Sequence, residues 1–392
     1  MGADPSSLPE SRRREEGVDY RSFDIRGSHA HLGCELGSAD PPFAVQFWWW
    51  PPPPAPFATA CRDVVHNFHP HLLDEFDAYA DTQRLSARDL WQKCCRVNLK
   101  AKLPAPQPSP KGRRSPGLEM GEGCSTFVHF LSSLAESWPE GEGRVIVGRN
   151  YDYLPQQVRR QRIRFAPDCC AHASIGARGS VPCGRYDGMN ERGLFASLHV
   201  VMSDTPAADE VRPGVPFHLA VRIVLELCHT AREACDLLSH MPHLSSLNFL
   251  VADAKDAFVI EADPRRVRVL PREGDVLAAT NHYRHPDMRS LQGARRLENS
   301  ECRLAFLQGA DARRSGGEAV GLISRWEEPI TPSVDALLDH AGTIMADRTA
   351  PVCGMSGSLT TLWSCVAELT TKRIRYAAGA PGIAPYKTLF AL

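Results

Sequence analysis

The feature that most constrains the fold is a change of residue pattern near residue 123. Residues 104–117 alternate proline with small and basic residues, which favours an exposed, extended tether. Gly123–Thr126 then leads directly into the apolar run Phe127–Phe130, and a β-rich region follows. A lone cysteine in such a place, here Cys124, is ordinarily a buried and inert residue at the start of a strand. Its interpretation therefore depends on the chain on either side.

The N-terminal part is predicted to be a mainly helical leader. Its first twenty residues are polar, charged and rich in proline and serine, a composition typical of disorder. Three glycines within Gly27–Gly37 indicate turns or close packing, since their spacing does not match a phosphate-binding loop. From Cys61 to Trp91 apolar residues recur at helical spacing, and Pro70 divides this helical stretch into two. The predicted domains are a disordered N-terminus at 1–20, a helical leader with a proline-rich tether at 21–123, and a main domain at 124–392.

The region after Gly123 alternates strands with a few helices. Arg144–Gly148 is rich in β-branched residues and predicts a strand, whereas residues 216–229 carry apolar side chains on one stripe of a helix. Thr230–Glu233 is a capping box that predicts a second helix, and Asp253–Asp256 predicts a hairpin turn. The resulting order is strands, two helices, strands, one helix and strands, which indicates a layered α+β fold rather than a βαβ fold.

Composition argues against several classes of partner. The formal net charge of −1 gives no general attraction to nucleic acid or to anionic membranes, and no stretch of about twenty apolar residues predicts a membrane span. Thirteen cysteines occur without a C-x-x-C pair, and His66, His69 and His71 lack a second ligand group, so we predict no metal site. The odd cysteine count without a secretory signal favours a reducing, cytoplasmic location.

A nucleophilic cysteine needs help to lose its proton. A free thiol has a pKa of about 8.5 and an α-amino group one of about 7.7–8.0, so an N-terminal cysteine carries its own base. A carboxylate must orient that amine, an arginine can favour the thiolate, and an amide N–H must meet the oxyanion. Arg149 and Asp152 come directly after a predicted strand, and Asn281 follows another. Taken singly, Arg149 and Asp152 also fit an ordinary surface pair, and Asn281 a turn residue.

Five short motifs occur in one order along the chain. They are Gly123–Thr126, Gly148–Tyr153, Asp187–Leu194, Thr280–Tyr283 and Asn299–Arg303. Together they resemble the acyl-coenzyme A:6-aminopenicillanic-acid acyltransferase family of N-terminal-nucleophile (Ntn) hydrolases, over most of the chain after residue 120. Choloylglycine hydrolases, penicillin V acylases and acid ceramidase are more distant relatives of that family. The resemblance implies a four-layer αββα sandwich preceded by a mainly helical propeptide.

The resemblance also implies that the chain cuts itself between Gly123 and Cys124. The thiol of Cys124 would attack the preceding carbonyl, and water would open the ester-like intermediate. In the mature site Cys124 would be the nucleophile, Asp152 would hold its amine, and Arg149 would lie near the thiolate.

Four further residues receive roles from the resemblance. The side-chain amide of Asn281 would enter the oxyanion hole, and Arg303 would support the site or contact the substrate. His199 marks the region of a second oxyanion donor, a backbone N–H. Tyr153 is a further candidate for contact with the substrate or the oxyanion. No cofactor is implied.

The sequence therefore predicts a zymogen that becomes a hydrolase with a thiol nucleophile and cleaves a linear amide of a small molecule through a thioester. Hydrolysis is favoured because water is always available. The alternative is an N-acyltransferase that uses an amide or an acyl-thioester donor such as acyl-coenzyme A.

A binding protein that kept the fold and lost the chemistry is a different class that stays open. A papain-type peptidase is disfavoured because no suitable His/Asn pair is identifiable. The expected partners are the small-molecule substrate and the cleaved propeptide, which would form a two-chain heterodimer. Neither nucleic acid nor a membrane is expected as a partner.

Overall fold

The computed structural model describes the chain in segments separated by gaps. The described residues are 19–41, 52–98, 123–131, 138, 143–153, 160–168, 171–204, 206, 210–292, 297–309, 333–348, 352–354 and 360–392. Apart from residues 19 and 20, the predicted disordered N-terminus lies outside these segments, as does the predicted proline-rich tether. No helix in the described segments combines the length and the hydropathy that a bilayer crossing requires.

The described part of the leader, taken here as the chain up to Gly123, is one strand followed by four helices. The prediction of turns across Gly27–Gly37 is wrong, because most of this stretch forms helix α1. The prediction of close packing there is confirmed, since a Cβ on Gly33 would lie 2.1 Å from the main-chain oxygen of Glu75 in α3. Pro70 separates α2 from α3, as predicted. The elements are β1 (Ser22–Gly27), α1 (His29–Ala39), α2 (Ala55–Phe68), α3 (His71–Thr82) and α4 (Ala87–Asn98).

The main part, taken here as the chain from Cys124 onward, supplies the remaining strands and helices. Its strands are β2 (Ser125–Leu131), β3 (Arg144–Tyr153), β4 (Arg162–Pro167), β5 (Ser174–Arg178), β6 (Arg185–Asn190), β7 (Phe195–Val200), β8 (Leu247–Ala252), β9 (Ala257–Asp263), β10 (Arg266–Pro271), β11 (Val276–Ala279), β12 (Thr360–Glu368), β13 (Arg373–Ala377) and β14 (Tyr386–Lys387). Its helices are α5 (Phe217–Leu227), α6 (Ala231–His240), α7 (Pro286–Arg289), α8 (Glu298–Leu307) and α9 (Val334–Met345).

The strands form two sheets that face each other. The first sheet has the order β1-β4-β5-β6-β7-β8-β9-β10, and the second has the order β11-β2-β3-β12-β13-β14. Helices α5 and α6 pack on strands of the first sheet, and α8 and α9 pack on strands of the second. Side chains meet between the sheets, as Arg149 of β3 does with Asp187 of β6. The predicted α+β fold, a four-layer αββα sandwich, is confirmed.

The leader is built into this sandwich. Strand β1 pairs in parallel with β4, from Ser22 opposite Arg162 to Gly27 opposite Pro167, and so forms the edge of the first sheet. The buried guanidinium of Arg178 donates to both carboxylate oxygens of the leader's Asp40 at 2.7 Å. Apolar side chains of both parts belong to one continuous buried cluster. Residues on the two sides of Gly123 therefore share a single core.

Candidate active site

The candidate site forms where β2 and β3 pair. In this antiparallel pair Ser125 lies opposite Asn150, one step along from Thr126 and Arg149. Continuing the register brings Gly123 alongside Asp152. A Cβ on Gly123 would lie 2.4 Å from Cβ and 2.7 Å from Oδ2 of Asp152. Real Cβ atoms do not approach so closely, so the backbone before Cys124 passes directly against a buried carboxyl group.

Asp152 is held from the next strand of the sheet. Thr361 of β12 pairs with it across the ladder, and the Thr361 hydroxyl donates to Oδ1 at 2.6 Å. Burial raises the pKa of Asp152 to about 7, although the hydrogen bond from Thr361 and the charges of Arg303 and Arg149 oppose this change. A carboxyl group that titrates near neutrality can accept and return a proton under physiological conditions.

The thiol of Cys124 lies at the buried start of β2. Its Sγ is 4.0 Å from the main-chain oxygen of Asp152. Burial raises the pKa of this thiol to about 11, with Arg149 and Arg303 lowering it and the charge of Asp152 raising it. In the continuous chain the thiol is therefore protonated at neutral pH, and it needs a base before it can attack a carbonyl.

Arg149 fills the space between the two sheets. Its Nε donates to Oδ2 of Asp187 at 2.7 Å, and its remaining nitrogens donate to Oγ1 of Thr126 at 3.2 Å and to the main-chain oxygen of Leu198 at 3.0 Å. Because side chains alternate along a strand, Cys124 points to the same face as Thr126. The guanidinium charge thus lies on the thiol side of the strand.

Asp187 anchors that guanidinium from the opposite sheet. Besides Arg149, its carboxylate accepts from Nε1 of Trp363 at 2.9 Å and from the hydroxyl of Tyr376 at 3.0 Å. Burial alone would raise the pKa of Asp187, but Arg149 and the hydrogen bond from Trp363 hold it below its usual range. Asp187 is therefore ionised and neutralises a buried arginine.

Arg303 approaches the start of β2 from helix α8 on the other side. One terminal nitrogen donates to the main-chain oxygen of Cys124 at 2.6 Å and to Oγ of Ser125 at 2.9 Å. The other donates to Oδ1 of Asn281 at 3.1 Å. The amide of Asn281 has two N–H groups, and the main-chain oxygen of Val200 accepts one of them at 2.9 Å. One guanidinium therefore links Asn281 to the backbone of the cysteine.

The two remaining predicted residues differ in access. Nε2 of His199 lies 2.8 Å from Oγ1 of Thr126 and 3.3 Å from a nitrogen of Arg149, and Nδ1 lies 3.2 Å from the main-chain oxygen of Asn248. Burial and the charge of Arg149 hold the pKa of His199 well below its usual range, so the ring is neutral and enclosed. Tyr153, by contrast, is half-buried at the end of β3. Burial raises its pKa to about 12, with smaller contributions from Tyr186 and Cys124.

The structure brings most of the predicted residues together around one backbone segment. The residues near Cys124 are Arg149, Asp152, Asn281 and Arg303. The sequence analysis assigned no role to Asp187 or Thr361. The sequence did contain a signal for Asp187, since this carboxylate begins the motif Asp187–Leu194 and lies in a buried strand. Thr361 had none, because its contact with Asp152 spans 209 residues of sequence.

A group of side chains spaced for a metal ion lies elsewhere in the described segments. His29, His69 and Glu226 offer three ligand atoms within 4.8 Å of one another. Glu226 is in α5, on the outer side of the first sheet, and both histidines belong to the leader. The sequence analysis predicted no metal site anywhere in the chain, and it did not place His29 or Glu226 beside His69.

Comparison with protein-family models gives one match. The family is described as acyl-coenzyme A:6-aminopenicillanic acid acyl-transferase, and the match covers residues 138–381. This range includes Arg149, Asp152, Asn281 and Arg303, and it begins after Cys124. No curated protein is significantly similar to the chain in sequence.

Solved structures provide further likenesses. An N-acylethanolamine-hydrolyzing acid amidase ortholog from Caenorhabditis elegans is 18% identical, with 62% of this chain and 92% of that chain covered and a TM-score of 0.41. A penicillin V acylase from Agrobacterium tumefaciens is 17% identical, with 65% and 83% covered and a TM-score of 0.39. A mutant conjugated bile acid hydrolase from Clostridium perfringens is 13% identical, with 69% and 97% covered and a TM-score of 0.35.

Proposed function

The chain belongs to the acyl-coenzyme A:6-aminopenicillanic acid acyl-transferase family, and from this premise we propose that it is a self-activating enzyme with an N-terminal cysteine nucleophile. Its reaction is cleavage of a linear amide bond in a small molecule. One observation carries the proposal: Gly123, the residue before Cys124, lies against the carboxyl group of Asp152. A carboxyl group with a pKa of about 7 beside this peptide bond supports proton transfer during its cleavage.

Activation begins in the continuous chain. Because the thiol of Cys124 and the carboxyl group of Asp152 lie on opposite faces of the strand pair, one water molecule carries the thiol proton to Asp152, and the sulfur attacks the carbonyl carbon of Gly123. The peptide nitrogen of Cys124 leaves with the proton that Asp152 returns, so a thioester joins Gly123 to the sulfur. Water then hydrolyses this thioester. The products are a carboxylate on Gly123 and a free α-amino group on Cys124.

The free amino group changes the site. It supplies a base next to the thiol, and Asp152, now beside an amine instead of an amide, orients it. The thiolate attacks the substrate carbonyl while the Asn281 amide donates to the oxyanion, a contact of a kind worth about 3–4 kcal/mol in other enzymes. The substrate amine leaves with the proton, and the acyl group stays on Cys124 as a thioester.

Water is the proposed acceptor of that acyl group, which makes the enzyme a hydrolase. An N-acyltransferase that accepts acyl-thioesters such as acyl-coenzyme A shares the same acyl-enzyme and is the alternative. The thiol must stay reduced in either case. The cysteines in the described segments are free, and we propose a cytoplasmic location on that basis.

We also propose that the leader remains bound after cleavage and forms a heterodimer with the main part, which under this proposal is the catalytic part. Strand β1 would then be an edge strand supplied by the second chain. The buried ion pairs Asp40–Arg178 and Glu75–Arg222 would cross between the chains. Separation would expose the shared apolar core to water, which opposes release. Size-exclusion chromatography should therefore show both fragments in one peak without denaturant and in two peaks with it.

The direct test of activation is the size of the purified chain. Cleavage after Gly123 of the 392 residues leaves fragments of 123 and 269 residues, since 392 − 123 = 269. Wild type should give both fragments on a denaturing gel, with Cys124 as the new N-terminus by mass spectrometry. Cys124→Ala should give one full-length band. Cys228→Ala, which removes another buried thiol, is the matched control and should be cut. An active wild type that stays intact contradicts the proposal.

The acceptor is tested by measuring how the acyl group divides between water and an added amine. The cleaved enzyme is screened with N-acylated amino acids, acylated amines and β-lactams, and the released amine and acid are both measured. For a hydrolase, an added amine leaves the amount of acid equal to that of the released amine. A fall in acid with a matching N-acyl product identifies the acyltransferase. Absence of turnover and of a trapped thioester with every donor favours the non-catalytic binding protein.

A further inference from the structure

A buried cluster connects the leader to the catalytic part on the outer side of the first sheet. His29 begins α1, His69 follows α2, and Glu226 lies in the last turn of α5. Their side chains are 2%, 3% and 0% exposed. These groups lie in different elements and come from both sides of Gly123. They take no part in the reaction proposed above.

Both imidazoles converge on one carboxylate oxygen. Nε2 of His29 lies 2.9 Å from Oε2 of Glu226, and Nε2 of His69 lies 2.7 Å from the same atom. All three atoms lie within 4.8 Å of one another. Protein nitrogen and oxygen ligands bind Zn²⁺ at about 2.0–2.2 Å, so small outward shifts of these side chains make room for an ion between them.

Arg222 determines which oxygen of Glu226 faces the two histidines. Arg222 donates through Nε to Oε1 of Glu226, and its terminal nitrogens donate to the Glu75 carboxylate at 3.0 and 3.3 Å. Because Arg222 occupies Oε1, Oε2 remains as the ligand atom.

We propose that His29, His69 and Glu226 bind a divalent cation of the Zn²⁺ type. Two imidazoles and one carboxylate with a remaining position for water are a ligand set that suits this ion. Two of the ligands lie in the leader and one in the catalytic part, so the ion joins the two. Binding of the ion does not depend on the proposed cleavage; its role in holding two separate fragments together rests on the proposed function.

The test uses the full-length chain, both as wild type and as uncut Cys124→Ala. After dialysis against Zn²⁺ and then buffer, we expect about one equivalent of zinc per chain in each, as for a site of this ligand set. Co²⁺ should give visible absorption bands of a four-coordinate site, and zinc should displace them. His29→Gln and His69→Gln should each lose most of the zinc, and the exposed His66→Gln is the matched control.

The outcomes separate clearly. If neither wild type nor Cys124→Ala, both of which keep all three proposed ligands, binds Zn²⁺ or Co²⁺, the proposal is overturned without reference to the folding of the ligand variants. Equal zinc loss in His66→Gln, or full zinc content in the two ligand variants, overturns it as well. Zinc in uncut Cys124→Ala supports the site even where wild type is not cleaved, so the result stays distinct from the test of activation. Circular dichroism checks that the variants are folded.

Discussion

The carboxyl groups that lie against the two faces of the second sheet behave in opposite ways. On the inner face, between the sheets, Asp187 is paired with Arg149, and its pKa is held below the usual range. On the outer face, Asp152 accepts from Thr361 and lies against Gly123, and its pKa is raised to about 7 by burial. Both carboxyl groups are almost fully buried.

The difference in pKa distinguishes a carboxylate that fixes a neighbouring side chain from a carboxyl group that can transfer a proton. A buried carboxylate in contact with a guanidinium stays ionised and fixes its partner, so Asp187 determines where Arg149 lies. A buried carboxyl group with a hydroxyl partner and more distant cations changes its protonation near neutral pH, so Asp152 is suited to moving a proton. The proposed cleavage requires a carboxyl group that exchanges a proton beside Gly123. It also requires an ionised carboxylate that fixes the arginine near the thiol of Cys124.

Asp152→Asn should have the largest effect, and it tests whether Asp152 takes part in proton transfer. The asparagine keeps the shape and can still accept from Thr361, but it cannot take the thiol proton. We expect the rate of self-cleavage to fall by about 10²–10⁴-fold, the usual range for loss of a general base. The measurement is the fraction cut against time after expression is stopped. Cleavage at the wild-type rate would remove Asp152 from the proposed mechanism.

Asp187→Asn should act on stability instead. In either orientation the amide NH2 would face donors that now bind a carboxylate oxygen, and the buried arginine would lose its counter-charge. We expect the free energy of unfolding to fall by about 3–5 kcal/mol, as for other broken buried pairs. Denaturant titration in the uncut Cys124→Ala background measures this on one continuous chain.

In the same Cys124→Ala background Asp152→Asn should not destabilise the fold above pH 7, since burial disfavours the ionised form of Asp152. Equal losses for both variants would contradict the distinction.

Much of this arrangement could be predicted from local sequence. The strands that begin at Ser125 and Arg144 and the capping box at Thr230 carry short-range signals, and the structure has these elements. Helix α9 also had such a signal that the sequence analysis missed. Ser333 caps it by accepting from the Ala336 N–H at 3.1 Å, and apolar residues recur behind it at helical spacing.

The rest depends on pairing between distant strands. Strands β4 and β5 were not predicted, because buried arginines interrupt their apolar pattern. Arg162 lies 4.8 Å from the ring centroid of Trp363, and Arg178 pairs with Asp40. Local sequence places Arg149 and Asp152 three residues apart, but it does not give the register that sets one between the sheets and the other against Gly123. Strand pairing also brings Thr361 to Asp152, and the packing of the two sheets brings Asp187 to Arg149.

Gly123→Ala tests whether the backbone at residue 123 must lie against the carboxyl group of Asp152. The new methyl group would overlap Cβ of Asp152, so the peptide bond must shift away from the carboxyl group. We expect self-cleavage to slow by about 10²-fold, since a displacement near 1 Å can cost that much. The control is internal: residue 123 is not part of the mature catalytic chain. Once cleaved, the variant should turn over substrate at the wild-type rate. Unchanged cleavage would show that Asp152 does not contact the reacting bond.

Thr361→Val gives the smallest and most specific effect. The Thr361 hydroxyl donates to the ionised form of Asp152 and lowers its pKa; valine has the same shape without the donor. A hydrogen bond to a charged group contributes about 1.5–3 kcal/mol, so its loss should raise the pKa of Asp152 by about 1–2 units. Because cleavage needs ionised Asp152, its rate should rise with pH and reach half its maximum near pH 7 in wild type. In Thr361→Val this midpoint should move upward, and Thr361→Ser should restore it. A lower plateau at an unchanged midpoint would mean that Thr361 only supports the strand.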